Sequence, residues 1–349
     1  MHAARTTTQL PATTDNWPLH TWRLTRWVLF TAWRRVMGKI LLGILVGFYV
    51  LIVALQILAF VITSNASLPA GQNCPPGAVA TSQSGQSGSP STAPCQPIDE
   101  AQARAAQQRA ANDIRQSLTF PQSLALGGGY SSFIGLILLL ILAGAVIGGE
   151  YGYGTVRVVL SRGVGRPQLI TAQAIALAVL ALGVTGLMLL LSALVGFTLG
   201  PALGGTIPAF PSGGFGELAV YWLSLAFTLF AYAAIALFMA TWARSTAAGI
   251  AVPLGYLVFE NVVGGILLGL SFAFQGVTHD ILLAIPTFLL GNNTSYLVSR
   301  ASEAPIALNG PQSSLLQIDL PHALVVTLLY CAVLLALSYV ITQRRDVTD

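Results

Sequence analysis

The chain has 349 residues, 54% hydrophobic and 8% charged, with a formal net charge of +4 and a mean hydropathy of +0.73. An average soluble domain is about 25% charged, so a soluble enzyme or binding module is excluded. The basic excess gathers at the ends of apolar runs, where it sets membrane orientation and gives no argument for nucleic-acid binding.

Residues 1–16 are a polar leader with the character of a disordered tail. Asp15 or Asn16 is suited to cap a helix, and helical spacing then continues over 17–39. Leu19, Trp22, Leu29, Trp33, Val36 and Met37 fall on one face, with His20, Arg23, Thr31, Arg34 and Arg35 on the other. Four of the six tryptophans lie here (Trp17, Trp22, Trp27 and Trp33). Trp and Arg on one amphipathic helix suit the headgroup region of a bilayer. The expectation is a helix lying in the interface, with a plain membrane anchor as the simplest reading.

Six apolar runs follow within 40–349, near Ile40–Ile62, Ser131–Gly149, Leu169–Leu199, Leu218–Trp242, Ala247–Phe272 and Ala323–Ile341. Each is long enough, at about 20 residues, to cross a hydrocarbon core about 30 Å thick. Helices are the expected form, because lipid leaves no water for open backbone groups. The fold class is therefore an all-α membrane protein with six transmembrane helices. Placing both termini in the cytoplasm leaves only Arg104, Arg109, Arg115 and Arg300 outside, of 16 Lys and Arg. That asymmetry orients the chain as a multi-pass protein, and a bacterial plasma membrane is the expected location.

The first external loop, 63–130, has two halves. Residues 71–97 are rich in Ser, Gly, Pro and Gln, a composition that cannot bury enough to order itself. Residues 97–118 read as an Ala-rich helix with acidic residues in its first turn. Cys74 and Cys95 share this loop. In an oxidising space a disulfide, adding about 3 kcal/mol, is favoured over two free thiols. Cys331 lies inside the sixth run and reads as packing. A second external segment, 275–322, holds the short apolar stretch Ile281–Leu290, about half a span and thus re-entrant or interfacial. Three pairs, Gly43/Gly47, Gly144/Gly148 and Gly265/Gly269, have the spacing that lets membrane helices approach closely.

One charge falls at membrane depth: Glu260, followed by Asn261, in the middle of the fifth run. A charge there costs a few kcal/mol. Two readings stand side by side: lining of a translocation path or dimer interface, and a hydrogen bond that only holds the bundle together. The sequence has no Gly-x-x-x-x-Gly-Lys-Ser/Thr phosphate loop, no His-Glu-x-x-His, and no Cys/His cluster at metal spacing. No metal or cofactor is expected in the chain itself, and no catalytic residue.

Between the second and third runs lies Gly148-Gly-Glu-Tyr-Gly-Tyr-Gly-Thr-Val-Arg157, continuing to Ser161-Arg-Gly-Val-Gly-Arg166 and Pro-Gln-Leu. This basic, glycine-punctuated turn, with the amphipathic helix before run one, the large first loop and the closing Gln343-Arg-Arg-Asp-Val347, resembles the ABC-2 type permeases. These are membrane subunits of ATP-binding-cassette exporters, and the resemblance covers the chain in order. It implies the ABC-2, type V exporter-like architecture and a non-catalytic transport subunit. A separate P-loop ATPase would bind ATP and Mg. The segment 150–168 would be the cytoplasmic coupling segment, its helix over 155–168 seated in the ATPase. Arg157, Arg162 and Arg166 would supply polar contacts, and Glu150, Tyr151, Gly154 and Thr155 would fix the turn. Two permease copies would enclose the path, within the lipid bilayer. The long Ser/Gln-rich loop departs from shorter members. The alternative, an ion-coupled secondary transporter using Glu260, should show internal repeats, and no convincing halves are present.

Overall fold

The computed structural model describes residues 17–34, 36–65, 100–161, 165–204, 214–306 and 316–344. Cys74, Cys95, Arg162 and the side chain of Arg157 lie outside what is described, as does the Ser/Gln-rich half of the first loop.

The described residues are helical, without strands. The helices are α1 (Trp17–Arg34), α2 (Val36–Asn65), α3 (Glu100–Ser117), α4 (Ser123–Tyr130), α5 (Leu136–Gly152) and α6 (Thr155–Ser161). Then come α7 (Arg166–Ala202), α8 (Gly214–Ala243), α9 (Thr246–Ser271), α10 (Val277–Ala284), α11 (Leu290–Ile306) and α12 (Leu320–Arg344). Six of these segments are long and apolar enough to span a membrane: α2, α4–α5 taken together, α7, α8, α9 and α12. The expected runs all fall on them; five of the six helices outlast their apolar runs at both ends, while α9 ends one residue short of its run.

The second span begins at Ser123, eight residues before the apolar run, and passes through one π-turn over Ser131–Gly135. Gly127, Gly128 and Gly129 read as loop in the sequence. In the fold they lie on a helix whose Gly127 and Gly128 are pressed against its neighbours: the Gly127 amide donates to Ser192 Oγ at 3.1 Å. A Cβ on Gly128 would meet the Tyr221 hydroxyl. The expected helix over 97–118 is α3, which lies along α2 and ties Gln107 Nε2 to the Thr63 carbonyl at 2.6 Å.

The bundle is organised around α8 and the second span, whose apolar windows are 67% and 61% buried. The corresponding figures for α2, α9 and α12 are 17%, 17% and 22%, so these form the outside. The main core joins Leu139, Leu140 and Ile147 of α5, Leu177 and Ala181 of α7, and Leu229 and Leu237 of α8, with Cys331 of α12 buried among them. Of the three glycine pairs, only Gly144/Gly148 makes a close helix contact. A Cβ on Gly144 would come within 2.6 Å of the Gly249 backbone, and one on Gly148 within 2.5 Å of Thr246 Cα. Gly43, Gly47, Gly265 and Gly269 have nothing within 4 Å.

The face that α1 turns inward is made of small residues between the apolar and the polar faces. Thr21, Thr25, Val28 and Ala32 are buried, and Val28 and Ala32 pack with Val146 and Ala176. Thr25 Oγ1 donates to Thr21 O at 3.0 Å and approaches Ala172 O at 3.4 Å. Trp22 and Trp33 are exposed. The reason is geometric: small side chains let two helices approach closely, while indole rings are held back for the bilayer boundary.

Candidate functional site

Two constellations stand at opposite ends of the bundle. At the end that carries α1 and the last turn of α12, the second span closes on a carboxylate. Glu150 is 2% exposed, and Gln173 Nε2 of α7 donates to its Oε2 at 2.7 Å. The chain then turns over Tyr153 and Gly154, whose amides donate to Gly149 O and Tyr151 O. Gly154 has φ +67° with open space where a Cβ would stand, so its backbone, not crowding, is what demands glycine here. Thr155 Oγ1 donates back to the Glu150 carbonyl at 2.9 Å and pins the start of α6. Tyr151 turns inward against the main core, whereas Tyr153 and Val158 are exposed.

The expected single helix over 155–168 is divided. Helix α6 covers Thr155–Ser161, and Gly165 is extended (φ −65°, ψ 139°) as the cap of α7. Its amide donates to Gln168 Oε1 at 3.1 Å, and Pro167 sits in the first turn, where its missing N–H costs nothing. The Gly-Arg-Pro-Gln sequence is a helix start, so the helix that begins at Thr155 ends at Ser161 and does not run on to Gln168. Arg166 donates from Nη1 to the Gln343 carbonyl at 2.9 Å, joining the segment to the end of α12.

At the other end, a cavity of about 760 Å³ opens between the second span, α8, α9 and α11. Glu260 lines it at 4% exposure. Tyr232 OH donates to Glu260 Oε2 at 2.7 Å, and the Gly291 amide donates to Oε1. Both oxygens accept, as suits a carboxylate. Gly291 lies in the first turn of α11, where free N–H groups and the helix dipole favour a negative charge. Asn261 beside it is exposed to the cavity, and its Nδ2 donates to Leu257 O at 2.8 Å.

The helix that meets Glu260 was not visible in the sequence. Val277–Phe288 and Leu290–Glu303 form a pair of helical pieces bent by 73° at Leu289, a broken span or re-entrant loop. The short apolar stretch is the first piece. The second, α11, was missed because its polar stripe of Asn, Ser and Thr looks like loop composition. Its signal was Leu290, Leu297 and Val298 at helical spacing, together with the extended Leu289 before it.

A six-span helical bundle with a glycine-hinged polar turn at one end and a cavity at the other defines a membrane transport protein. The family model for ABC-2 family transporter proteins matches residues 33–347, nearly the whole chain. The chain belongs to that family and is a permease subunit of an ABC transporter. No curated protein matches the chain.

Proposed function

We propose that this permease subunit works as a dimer and exports its substrate, driven by a separate P-loop ATPase that docks on segment 150–168. In this reading the ATPase binds ATP and Mg, this chain performs no chemistry, and the docking end faces the cytoplasm of a bacterial cell. Helix α1 lies at the membrane surface beside the same ATPase. Glu150, Tyr151, Gly154 and Thr155 set the direction of α6, and Arg157, Arg162 and Arg166 make its polar contacts.

The observation that carries this reading is the continuity of the second span. It lines the cavity at Ala125, Gly129 and Leu136 and ends in the turn at Gly152. The 17 residues from Leu136 to Gly152 make a rod of about 26 Å at 1.5 Å per residue. The close Gly144/Gly148 contact fastens this rod to α9, which carries Glu260 on the opposite cavity wall. Displacing the turn therefore displaces two cavity walls together, the rigid-body movement that alternating access requires. The little-buried faces of α2 and α9, with their open glycines, are the surfaces offered to a second copy.

The test is purification from the native membrane in mild detergent, with identification of stoichiometric companions. A P-loop ATPase that is lost on reversing the charges at Arg157, Arg162 and Arg166 supports the proposal. Solute movement in vesicles under a proton gradient alone, with no ATPase bound, overturns it and makes an ion-coupled carrier with Glu260 as proton site the better account.

A further inference from the structure

We infer that the cavity beside Glu260 receives the ammonium head of an amphiphilic cation, with Glu260 as its counter-ion. This deepens the permease reading by naming a substrate class, and it rests on that reading only for the statement that the ligand is moved.

The argument begins with the charges on the wall. Among the described lining residues there is no Lys, Arg or His, and Glu260 is the one formal charge. An anionic head would therefore face a carboxylate without any compensating cation, in surroundings where charge is poorly screened. The hydrogen-bonding groups point the same way, because their protons are largely committed to the protein itself. Thr294 Oγ1 donates to Leu290 O at 3.0 Å, and Thr228 Oγ1 to Ser224 O at 2.9 Å. Ser299 Oγ donates to Tyr296 O at 2.9 Å, and Ser302 Oγ to Ser299 O at 2.7 Å. Asn292 Nδ2 donates to Pro286 O at 2.8 Å, as Asn261 Nδ2 does to Leu257 O.

What these groups leave toward the cavity is mostly acceptor oxygen (hydroxyl lone pairs, amide carbonyls and the carboxylate), with the second amide hydrogens of Asn261 and Asn292 among the few remaining donors. Each carboxylate oxygen has two lone-pair positions, and Tyr232 and Gly291 take one apiece. Ser132 Oγ, also on the wall, is buried and has no hydrogen-bond partner among the described residues. A wall rich in acceptors is matched by a ligand rich in donors, and an ammonium group offers up to three with a positive charge. The lining also includes the apolar side chains of Phe133, Leu136, Leu257 and Leu268, which accept the hydrocarbon part. Glu260 is held by its two donors, so it is positioned before a ligand arrives and needs little reorganisation.

The experiment is equilibrium binding to the full-length chain in lipid nanodiscs, without any ATPase, so that its outcome is independent of whether an ATPase partner is found. The probes are a dansylated alkylamine, its N-acetylated neutral analogue and a dansylated alkylcarboxylate, followed by fluorescence. The amine should bind at least about tenfold more tightly than the acetylated analogue, the ratio that 1.4 kcal/mol represents, and the carboxylate weakest. Glu260→Gln should remove the preference for the amine over its acetylated form. Gly265→Phe should block all cavity binding, because Gly265 lies on the wall with nothing within 4 Å of its Cβ position. This variant leaves the Glu260 hydrogen bonds intact, and so keeps the test sound if Glu260→Gln fails to fold. Equal binding of the three probes, tightest binding of the carboxylate, or amine binding unaffected by Gly265→Phe would overturn the inference. A short-chain amine competing as well as the dansylated one would assign the site to free amines; competition only by aminolipid would assign it to the bilayer.

Discussion

Gly148 and Gly43 are the same residue type on apolar helices, and their surroundings predict opposite responses to one added methyl. At Gly148 a Cβ would lie 2.5 Å from Thr246 Cα, so backbone must move, whereas Gly43 has open space. Gly148→Ala should cost about 1–3 kcal/mol by overpacking. Gly43→Ala should be neutral or gain up to about 1 kcal/mol from helix propensity. Melting temperatures of the two variants in mild detergent decide this, and equal shifts would refute the seam between the second span and α9. Gly154→Ala tests backbone rather than space. The left-handed conformation (φ +67°) costs a non-glycine residue roughly 1–2 kcal/mol. Overall melting should fall only slightly, while recovery of the ATPase in pull-downs should drop; unchanged recovery would separate the turn from docking. At the other end, Tyr232→Phe removes one of two donors to a buried carboxylate. The cost should be about 1–3 kcal/mol, read as a lower melting temperature, and a smaller cost for Tyr232→Phe than for Gly43→Ala would deny the hydrogen bond any structural weight.

Among the elements, α1 states the difference between composition and packing most clearly. Its tryptophans suit the headgroup region and say nothing of the contact face, where the residues that touch α7 and α5 are Thr21, Thr25, Val28 and Ala32. Thr25 is wholly buried, so Thr25→Leu should disrupt the contact with α7 by overpacking, at about 1–3 kcal/mol. Trp22→Ala and Trp33→Ala should leave thermal stability nearly unchanged and weaken only the partition of α1 into the interface. Tryptophan quenching by brominated lipids measures both effects. Strong destabilisation by the Trp variants, with none from Thr25→Leu, would mean the helix packs the other way round. The re-entrant pair carries the same lesson. A sequence of Asn, Ser and Thr reads as loop until Gly291 is seen donating to Glu260 and Leu290 buried in the main core.

For the whole molecule, the second span runs from the cavity to the turn, and the proposed mechanism has α9 move with it through the glycine contact. A Gly265→Cys variant places a thiol on the cavity wall without crowding. Its rate of maleimide labelling should change when the ATPase and ATP are added and return when ATP is exhausted. A rate indifferent to ATP would break the proposed link between turn and cavity, whatever binds at either end.

The number and order of spans were legible because the bilayer imposes a length: about 20 apolar residues are visible in any window, without knowledge of neighbours. The glycine turn at 152–154 was equally legible, since a positive φ is local chemistry, but the helix expected over 155–168 ran through the helix start at Gly165-Arg-Pro-Gln. The interior was not legible. Lipid is as apolar as a protein core, so inward and outward faces of a span have no hydropathy contrast to betray them. That is why one of three identical glycine spacings became a contact and two did not. Glu260 announced itself by cost alone; its partners, Tyr232 at 28 residues' remove and Gly291 at 31, were brought to it only by the packing of α8, α9 and α11. The cavity likewise belongs to no single segment, and its acceptor-rich wall exists only where four helices meet.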